Sequence, residues 1–600
     1  MALEGGKRTY LEFFCCELLE TLIKKRAAFI AKKQQVRGTD KWFEGLFSLW
    51  DMREKVLRNP DNTGGLHPYM VGGSDDPGLC KAPYIAAKNV HFPDLGEIAA
   101  VEYYIERFLW GGLQREDTEE PFPYAIYGCD NWYELRRSDI GYGSGGLGKE
   151  RMWRTFDYTH IIGLYHNMYR VAKFYPDMTK YLDKDGYLDR AFKTARAFFT
   201  VPYSIKMGDM WSFHGWCDWA YTQGNFHELY IPMLIDDLYA EGRRKEADWL
   251  KGEWEKKAKF FVYDSPFPFG SEMKFDTTAF ESTHAIAKWG LEHDLRADQN
   301  LWQDKNSGRW YSHPAVRKQD FRGFMERETA ANIAARGWVE PSYWQLGSDF
   351  RQFGCSNYML SYMTQMGGWS ILDYALYYAR QPEKYMRLGY ASFLGSWALM
   401  NTGDAKSNYG FWYPGKENDG ATAWAFEPMK VASAWGGGPM TRGAWRYDGE
   451  IDSGYQGAIR SAACVLVNDP IFGLVAYGGD IKVSGGTITV IPKDGLRQRF
   501  HMLNVYPKLH MEVDRDGFVS IKATTSRGRL TGLSFVLENR WKKPHETELS
   551  ISGLPSGSYR VAVGKVRSVV KVGAGKRVSL RLPIGAGPMY DVAIRMSGRF

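Results

Sequence analysis

The order of residues predicts a multidomain α + β chain, an (α/α)6-type helical toroid followed by antiparallel β-sandwich and immunoglobulin-like structure. Three observations carry that expectation. Twenty-one of the 22 tryptophans precede residue 456 and only Trp541 follows. Before that point apolar residues recur at helical spacing, and after it the chain breaks into short runs rich in Val, Ile, Thr and Tyr, separated by Gly, Pro and Asp-Gly turns. The expected divisions are a toroid over 1–455, an antiparallel β-domain over 456–540 and a small immunoglobulin-like module over 541–600.

Helices are expected near 8–34, 96–110, 161–172, 187–200, 227–241, 244–260, 280–292, 322–335, 369–380 and 386–400. In the last of these, Met386, Tyr390, Phe393, Trp397 and Met400 step by four and three residues along one face. Alternating short and long connections suggest helical hairpins arranged in a ring, whose loops at one end converge on a central funnel. The abrupt entry into a helical pattern, with Leu18, Leu19 and Leu22, suggests that an upstream part is missing. Beyond 456, runs such as TITVIPKDG, LSFVLEN and VSLRLPI recur about every ten residues, the spacing of sandwich strands, and Pro555-Ser556-Gly557 reads as a hairpin turn.

Six hundred residues exceed one ordinary core. The net charge of +7 is small for that length and forms no basic run, so nucleic-acid binding is not expected, although a weakly positive field would help attract an anionic polysaccharide. No run of about 18 apolar residues predicts a membrane span. Seven cysteines at irregular spacing, without a CxxC pair, give no reason to expect structural zinc. Gly141, Gly143 and Gly146 formally satisfy GxGxxG, but no apolar strand leads into them. The P-loop-like GSGGLGK is followed by Glu150 where the motif needs Ser or Thr, so neither a dinucleotide nor any other organic cofactor is expected.

The most informative stretch is Met207–Glu228, MGDMWSFHGWCDWAYTQGNFHE. It sets Trp211, Trp216, Trp219 and Tyr221 among His214, Asp218, Asn225, His227 and Glu228. Flat rings mixed with ionisable groups suit a sugar site, because pyranose C–H faces lie on aromatic rings while hydroxyls need carboxylate, amide or imidazole partners. SNYGFWYPGKEN, with Tyr409, Trp412 and Tyr413 between Asp404 and Asp419, is expected to line the opposite wall.

Glycosidic hydrolysis needs two carboxyl groups, one protonated and one ionised. Glu281, where a loop runs into a helix, is the first candidate, against the plainer role of a capping box with Thr278. Asp218, between Trp216 and Trp219, is the second, because desolvation there would raise its pKa; Asp404 and Glu450 stand in reserve. His284 lies one turn beyond Glu281 and is expected to bond hydroxyls together with His214 and His227. The same loops hold parts for a lyase, with Tyr or His as base and Asn, His or Arg neutralising a uronate; Asn225, His227, His214, Tyr221 and Tyr409 form such a set. A non-catalytic glycan-binding scaffold is a further reading. Terpene chemistry is disfavoured, since Asp75-Asp76-Pro77 is the only approach to an acid-rich motif of that kind.

GLGKERMWRTFDYTHIIGLYHNMYRVAKFYP, FGSEMKFDTTAFESTHAIAKWG and YDGEIDSGYQGAIRSAACVLVNDPIFGLVAYGGD together resemble a bacterial family of the six-hairpin glycosidase type. The resemblance covers roughly residues 1–540. It implies an upstream β-sandwich, an extracytoplasmic or periplasmic setting, a poly- or oligosaccharide substrate and an inverting mechanism with two carboxylic acids; no catalytic signature transfers residue by residue.

Overall fold

The computed structural model describes residues 2–4, 7–9, 17–51, 54–64, 71–129, 132–137, 152–207, 210–211, 219–265, 279–336, 361–398, 432–433, 439–440, 451–505, 508–526, 529–573 and 575–597. Twelve helices of ten or more residues stand out among them: α1 (Leu19–Lys33), α2 (Lys81–His91), α3 (Leu95–Tyr104), α4 (Thr155–Phe174), α5 (Lys184–Ser204), α6 (Tyr230–Ala240), α7 (Arg244–Tyr263), α8 (Ala279–Gly290), α9 (Lys318–Arg336), α10 (Ser361–Tyr377), α11 (Pro382–Ala398) and α12 (Ile451–Ser461).

Each even-numbered helix from α2 to α10 forms a hairpin with its successor, while α2–α4, α4–α6, α8–α10, α10–α12 and α12–α2 pack side by side. Bonds from the His227 N–H to Glu281 and from Ser282 to Glu228 join the starts of α6 and α8, which completes an inner ring of six helices with an outer ring around it. The residues explain the division. On α4, Thr155 to Met168 are buried without a break, so no polar face exists to turn outward. On α7, by contrast, Ala247, Leu250, Trp254, Ala258 and Phe261 make one buried stripe, and most of the remaining positions are charged.

The ring closes between its ends in sequence. Arg26 of α1 donates through Nε and Nη2 to the two carboxylate oxygens of Asp452 on α12, both at 2.7 Å, and Lys81 of α2 adds a third bond at 3.1 Å. All three side chains are fully buried. Burial opposes ionisation of Asp452, but the two cations outweigh it and hold its pKa below the ordinary value.

Past α12 come thirteen strands: β1 (Cys464–Asp469), β2 (Gly473–Tyr477), β3 (Gly479–Ser484), β4 (Thr487–Pro492), β5 (Arg499–Leu503), β6 (Leu509–Val513), β7 (Gly517–Ser526), β8 (Arg529–Glu538), β9 (His545–Ser552), β10 (Gly557–Val563), β11 (Val566–Val572), β12 (Val578–Ile584) and β13 (Met589–Met596). They form a six-stranded sheet, β2-β1-β5-β6-β9-β12, and a seven-stranded sheet, β3-β4-β7-β8-β13-β10-β11. Only β1 and β5 pair in parallel. One core lies between the sheets, with Leu466, Phe500, Met511, Phe518, Phe535, Leu549 and Ile594.

The six-stranded sheet rests on the ring. Along β1, Cys464 and Leu466 face the sandwich core, while Val465 and Val467 belong to the helical core. Arginines of the sandwich cap the carboxyl ends of inner helices. Arg540 Nη1 donates to the His91 carbonyl of α2 at 3.1 Å, Arg515 Nη1 to that of Phe174 in α4 at 2.9 Å, and Arg499 to those of Arg460 and Ala462 at the end of α12. Each places a cation on carbonyls that a helix cannot satisfy itself, at the negative end of its dipole.

Several expectations need correction. Residues 541–600 are not a separate module, because β9 and β12 pair into one sheet and β10, β11 and β13 into the other. The helical part extends to Ser461, since α12 spans the expected boundary. The helix expected from residue 8 begins at Leu19; residues 7–9 pair instead with 2–4. Helix α2 escaped the periodicity reading because ten of its eleven residues are buried, which leaves no polar stripe.

Asp452→Ala would remove the buried carboxylate that Arg26 and Lys81 share, and breaking a buried ion pair costs about 3–5 kcal/mol. The expected outcome is a clearly lowered urea midpoint, and wild-type stability tied to this carboxylate should fade as pH falls through its depressed pKa. An unchanged midpoint for the variant would show that the ring does not depend on this closure.

Candidate active site

Inner and outer helices alternate along the chain, so all six inner helices run in one direction. Connections leaving them are short in most cases, such as 92–94, 241–243 and 378–381. Those entering them are long: 34–80, 105–154, 205–229, 264–278, 337–360 and 399–450. The sandwich covers exit ends.

Near the starts of α4, α6 and α8 the described residues build a buried polar cluster, which the last turn of α12 completes. Glu281, on the first turn of α8, is wholly buried. Its carboxylate is paired with the guanidinium of Arg460, which comes from α12, and its Oε2 accepts the backbone N–H of His227 at 3.3 Å. His227 adopts a left-handed backbone conformation, φ 56°, which a non-glycine residue holds only at a cost on the order of 1 kcal/mol. Arg460 Nη2 also donates to His227 Nδ1 at 2.9 Å, which fixes the imidazole proton on Nε2. Among the described residues, His227 Nε2 and Arg460 Nε and Nη1 are buried and meet no acceptor.

Burial raises the Glu281 pKa, and neither Arg460 nor the His227 N–H offsets it fully. Burial drives His227 the other way, well below its ordinary value, and the charge of Arg460 adds to this, so the ring is neutral at physiological pH.

The cluster continues through His160 on α4, whose ring lies edge-on to His227 with centroids 5.3 Å apart. His160 Nε2 bonds Asp76 Oδ1 at 3.3 Å. Arg154 then gathers Asp75, Asp76 and Asp157, the last at 3.1 Å. The two neighbouring aspartates diverge. Burial raises Asp75 despite Arg154, whereas Arg154 and His160 overcome burial at Asp76 and hold it low. Under the cluster, Gln456 of α12 and Asn167 of α4 both donate to the Tyr230 hydroxyl at 2.9 Å, bridging the ring across its axis. A Cβ at Gly163 would lie 2.9 Å from the Tyr230 ring, so that approach needs a glycine.

Four expected sugar contacts have other occupations. His284 spends both ring nitrogens inside the wall, on Glu328 Oε1 of α9 and Asp373 Oδ2 of α10, each at 2.9 Å, which leaves it nothing for a hydroxyl. Glu228 is filled by Lys257 at 2.6 Å, Asn225 at 2.8 Å and the Ser282 hydroxyl. Asn225 accepts from Thr155 at 2.6 Å and donates to the Gln223 carbonyl and to Glu228, tying the connection to α4. Tyr221 is buried against Phe199, Tyr203 and Trp302, its hydroxyl bonded to Glu253 at 2.6 Å, so its ring is packing material. His227 and Glu281, 3.8 Å apart between ring nitrogen and carboxylate, are brought together. The Glu281 carboxylate reaches another element, unlike that of a capping box.

Trp211 and Trp219 have described backbone only, in the short strand Met210–Trp211 and the turn Trp219–Thr222. His214, Trp216, Asp218, Asp404, Tyr409, Trp412, Tyr413 and Glu450 lie outside the described residues. Arg460, Arg154 and Asp76 were not singled out from sequence. Arg460 lies just past the boundary expected from composition, and Asp76 belongs by sequence to an acid-rich run that suggests unrelated chemistry. Among the described residues no group of three or more His, Cys, Asp or Glu side chains is placed to hold a metal ion, and no helix is long and apolar enough to cross a membrane.

The model of a family described as a family of unknown function (DUF5695) matches residues 2–299 and 436–564. No curated protein matches by sequence. Among solved structures, a polysaccharide lyase is similar at 14% identity and a TM-score of 0.47 over 73% of this chain; the chain spans only 52% of that protein's length. A GH127 β-L-arabinofuranosidase from Geobacillus stearothermophilus T6 is similar at 11% identity and a TM-score of 0.31, covering 96% of this chain and 76% of its own.

The wall triad makes a pH prediction. Burial alone would lower His284, but its bonds to Asp373 and Glu328 hold the imidazolium up to about 9, with Lys288 also on Asp373. Because the folded pKa lies above the unfolded value near 6.5, the stabilisation is fully present below that pH and disappears as pH rises through about 9. The urea midpoint of wild type is therefore expected to fall over this window by more than that of His284→Gln; parallel pH profiles would refute the assignment.

Proposed function

We propose, from the premise that the chain belongs to the family of unknown function DUF5695, that it is a carbohydrate-active enzyme and that it hydrolyses glycosidic bonds at the entry end of the ring. The observation that carries this reading is Glu281: a carboxyl group with a raised pKa, on an inner helix, beside buried donors that meet no acceptor among the described residues.

A general acid must hold its proton near neutral pH and release it to the leaving oxygen as the bond breaks. Desolvation gives Glu281 that tendency. The ionised partner should be a carboxylate held low, and Asp76 answers that description among the described residues. Asp218, expected from its tryptophan neighbours to have a raised pKa, remains the sequence candidate for the second carboxyl group of the pair, with Asp404 and Glu450 in reserve. The N–H groups of His227 and Arg460 would bind hydroxyls near the scissile bond, and Trp211, Trp216, Trp219, Tyr409, Trp412 and Tyr413 would stack on sugar rings.

Elimination by a lyase is the second reading. His227 is neutral, as a lyase base must be, yet Arg460 occupies its Nδ1 and leaves it a proton donor at Nε2. Asn225, expected to neutralise a uronate, is already saturated. Both facts support hydrolysis over elimination.

Digestion of a glycan panel, read by mass spectrometry for new reducing ends and by ultraviolet absorbance for unsaturated uronates, tests the proposal. Hydrolysis should give reducing ends alone. Glu281→Gln should lower kcat by roughly 10²–10⁴-fold with little change in KM or circular dichroism, and Asp76→Asn and Asp218→Asn should show which carboxylate partners it. Full activity in Glu281→Gln would defeat the assignment. Ultraviolet-absorbing products would replace it with elimination, and binding without turnover anywhere in the panel would reduce the protein to a glycan-binding scaffold.

A further inference from the structure

The outer face of the seven-stranded sheet, remote from the ring, carries an unbalanced basic field. Strand alternation places Lys482, Lys522, Arg560, Arg567, Lys571 and Arg595 on that face, and all six are exposed. Arg560 of β10 and Arg595 of β13 are direct cross-strand partners. Like charges facing each other in a sheet are destabilising. None of the six forms an ion pair among the described residues. The acids on the same face are Asp591, which stands alone, Glu538, already held by Arg497, and Asp480, held by Lys493.

Register places hydroxyls between the cations. Lys522 lies in a row with Thr489 and Ser534, and Thr487 pairs with Thr524 one step along. The outward positions of these strands carry no aromatic ring, so bases would have nothing to stack on, which weighs against a single-stranded nucleic acid. From β7 to β11 the patch crosses five strands at about 4.8 Å spacing, a width of roughly 19 Å, which suits a chain of several charged sugars.

We propose that this sheet face is a second glycan-binding surface, recognising an anionic polysaccharide through its carboxylate or sulfate groups and holding it to the enzyme away from the ring. The substrate class rests on the carbohydrate reading above, but the binding surface does not involve Glu281. Cations and hydroxyls in this arrangement bind acid groups by charge and sugar hydroxyls by hydrogen bonds, and salt screens the first of these.

The test is affinity electrophoresis of the full chain in native gels cast with polygalacturonate, chondroitin sulfate or neutral dextran, with a single-stranded DNA oligonucleotide as a non-glycan polyanion. Wild type should be retarded by at least one acidic glycan, not by dextran, and less so as salt rises. Arg560→Glu sets a carboxylate opposite Arg595, so it should melt no lower than wild type while its affinity falls about tenfold or more. Lys522→Glu should act in the same direction, and Glu281→Gln should leave retardation unchanged. Equal retardation of wild type and Arg560→Glu, no retardation by either acidic glycan, or binding to the oligonucleotide alone would overturn the proposal. Loss of binding in Glu281→Gln would relocate it to the ring and overturn this surface while sparing the hydrolytic reading. Arg560-dependent binding in a protein with no turnover would do the reverse.

Discussion

Closure of the ring is the constraint on which the remaining structure depends. Six inner helices surround an axis only if the last returns to the first, and here residues 426 positions apart in sequence meet in a bidentate Arg26–Asp452 pair seconded by Lys81. Charges withdrawn from water are stable only beside opposite charges held in good geometry. The same contact sets the position of α12. Arg460 and Gln456 lie two turns and one turn further along that helix, and they reach across the axis to His227 and Tyr230. The polar cluster is thus a consequence of how the ring shuts.

The two ends of the ring are made chemically different by one rule. Helices pointing the same way present N–H groups at one end and carbonyls at the other. Sandwich arginines occupy carbonyls at the exit end, where positive charge belongs. At the starts of the inner helices, acids collect: Asp75 and Asp76 before α2, Asp157 on α4 and Glu281 on α8, with Arg154 as counter-ion to the first three and Arg460 reaching Glu281 from the last turn of α12. A carboxylate there gains from the helix dipole, and the exit end is left to serve as a docking face for the sandwich.

Much of the fold was legible in the sequence because amphipathic outer helices and alternating strands announce their periods. Helix α7 and strand β12, with its alternating buried and exposed residues, are of that kind. Helix α2 and the junction at α12 were not, since burial on every side removes the period. At the site, Glu281 and His227 were legible by their place near helix starts in a stretch rich in polar groups. His284, Glu228 and Asn225 bear the same residue types, yet their partners, Glu328, Asp373, Lys257 and Thr155, are 29 to 89 residues away, and no local pattern shows that a side chain is already engaged. Arg460 failed for the converse reason: a cation in the last turn of a helix reads as a dipole partner, and only its reach across the axis reveals otherwise.

Stability alone gives a poor account of the Glu281–Arg460–His227 group. Replacing a buried ion pair by packed hydrophobic residues is often neutral or stabilising by about 1–4 kcal/mol, and a left-handed histidine adds strain where glycine would add none. Donors without acceptors add a further desolvation cost. The outer helices show that this sequence packs efficiently where packing is the task, so local rules broken together at one end of an otherwise consistent ring point to a task other than packing. In the hydrolysis proposed above, an acid whose pKa burial raises, held in place by a guanidinium and a strained backbone N–H, would be prepared for a charge that develops only when a substrate reacts.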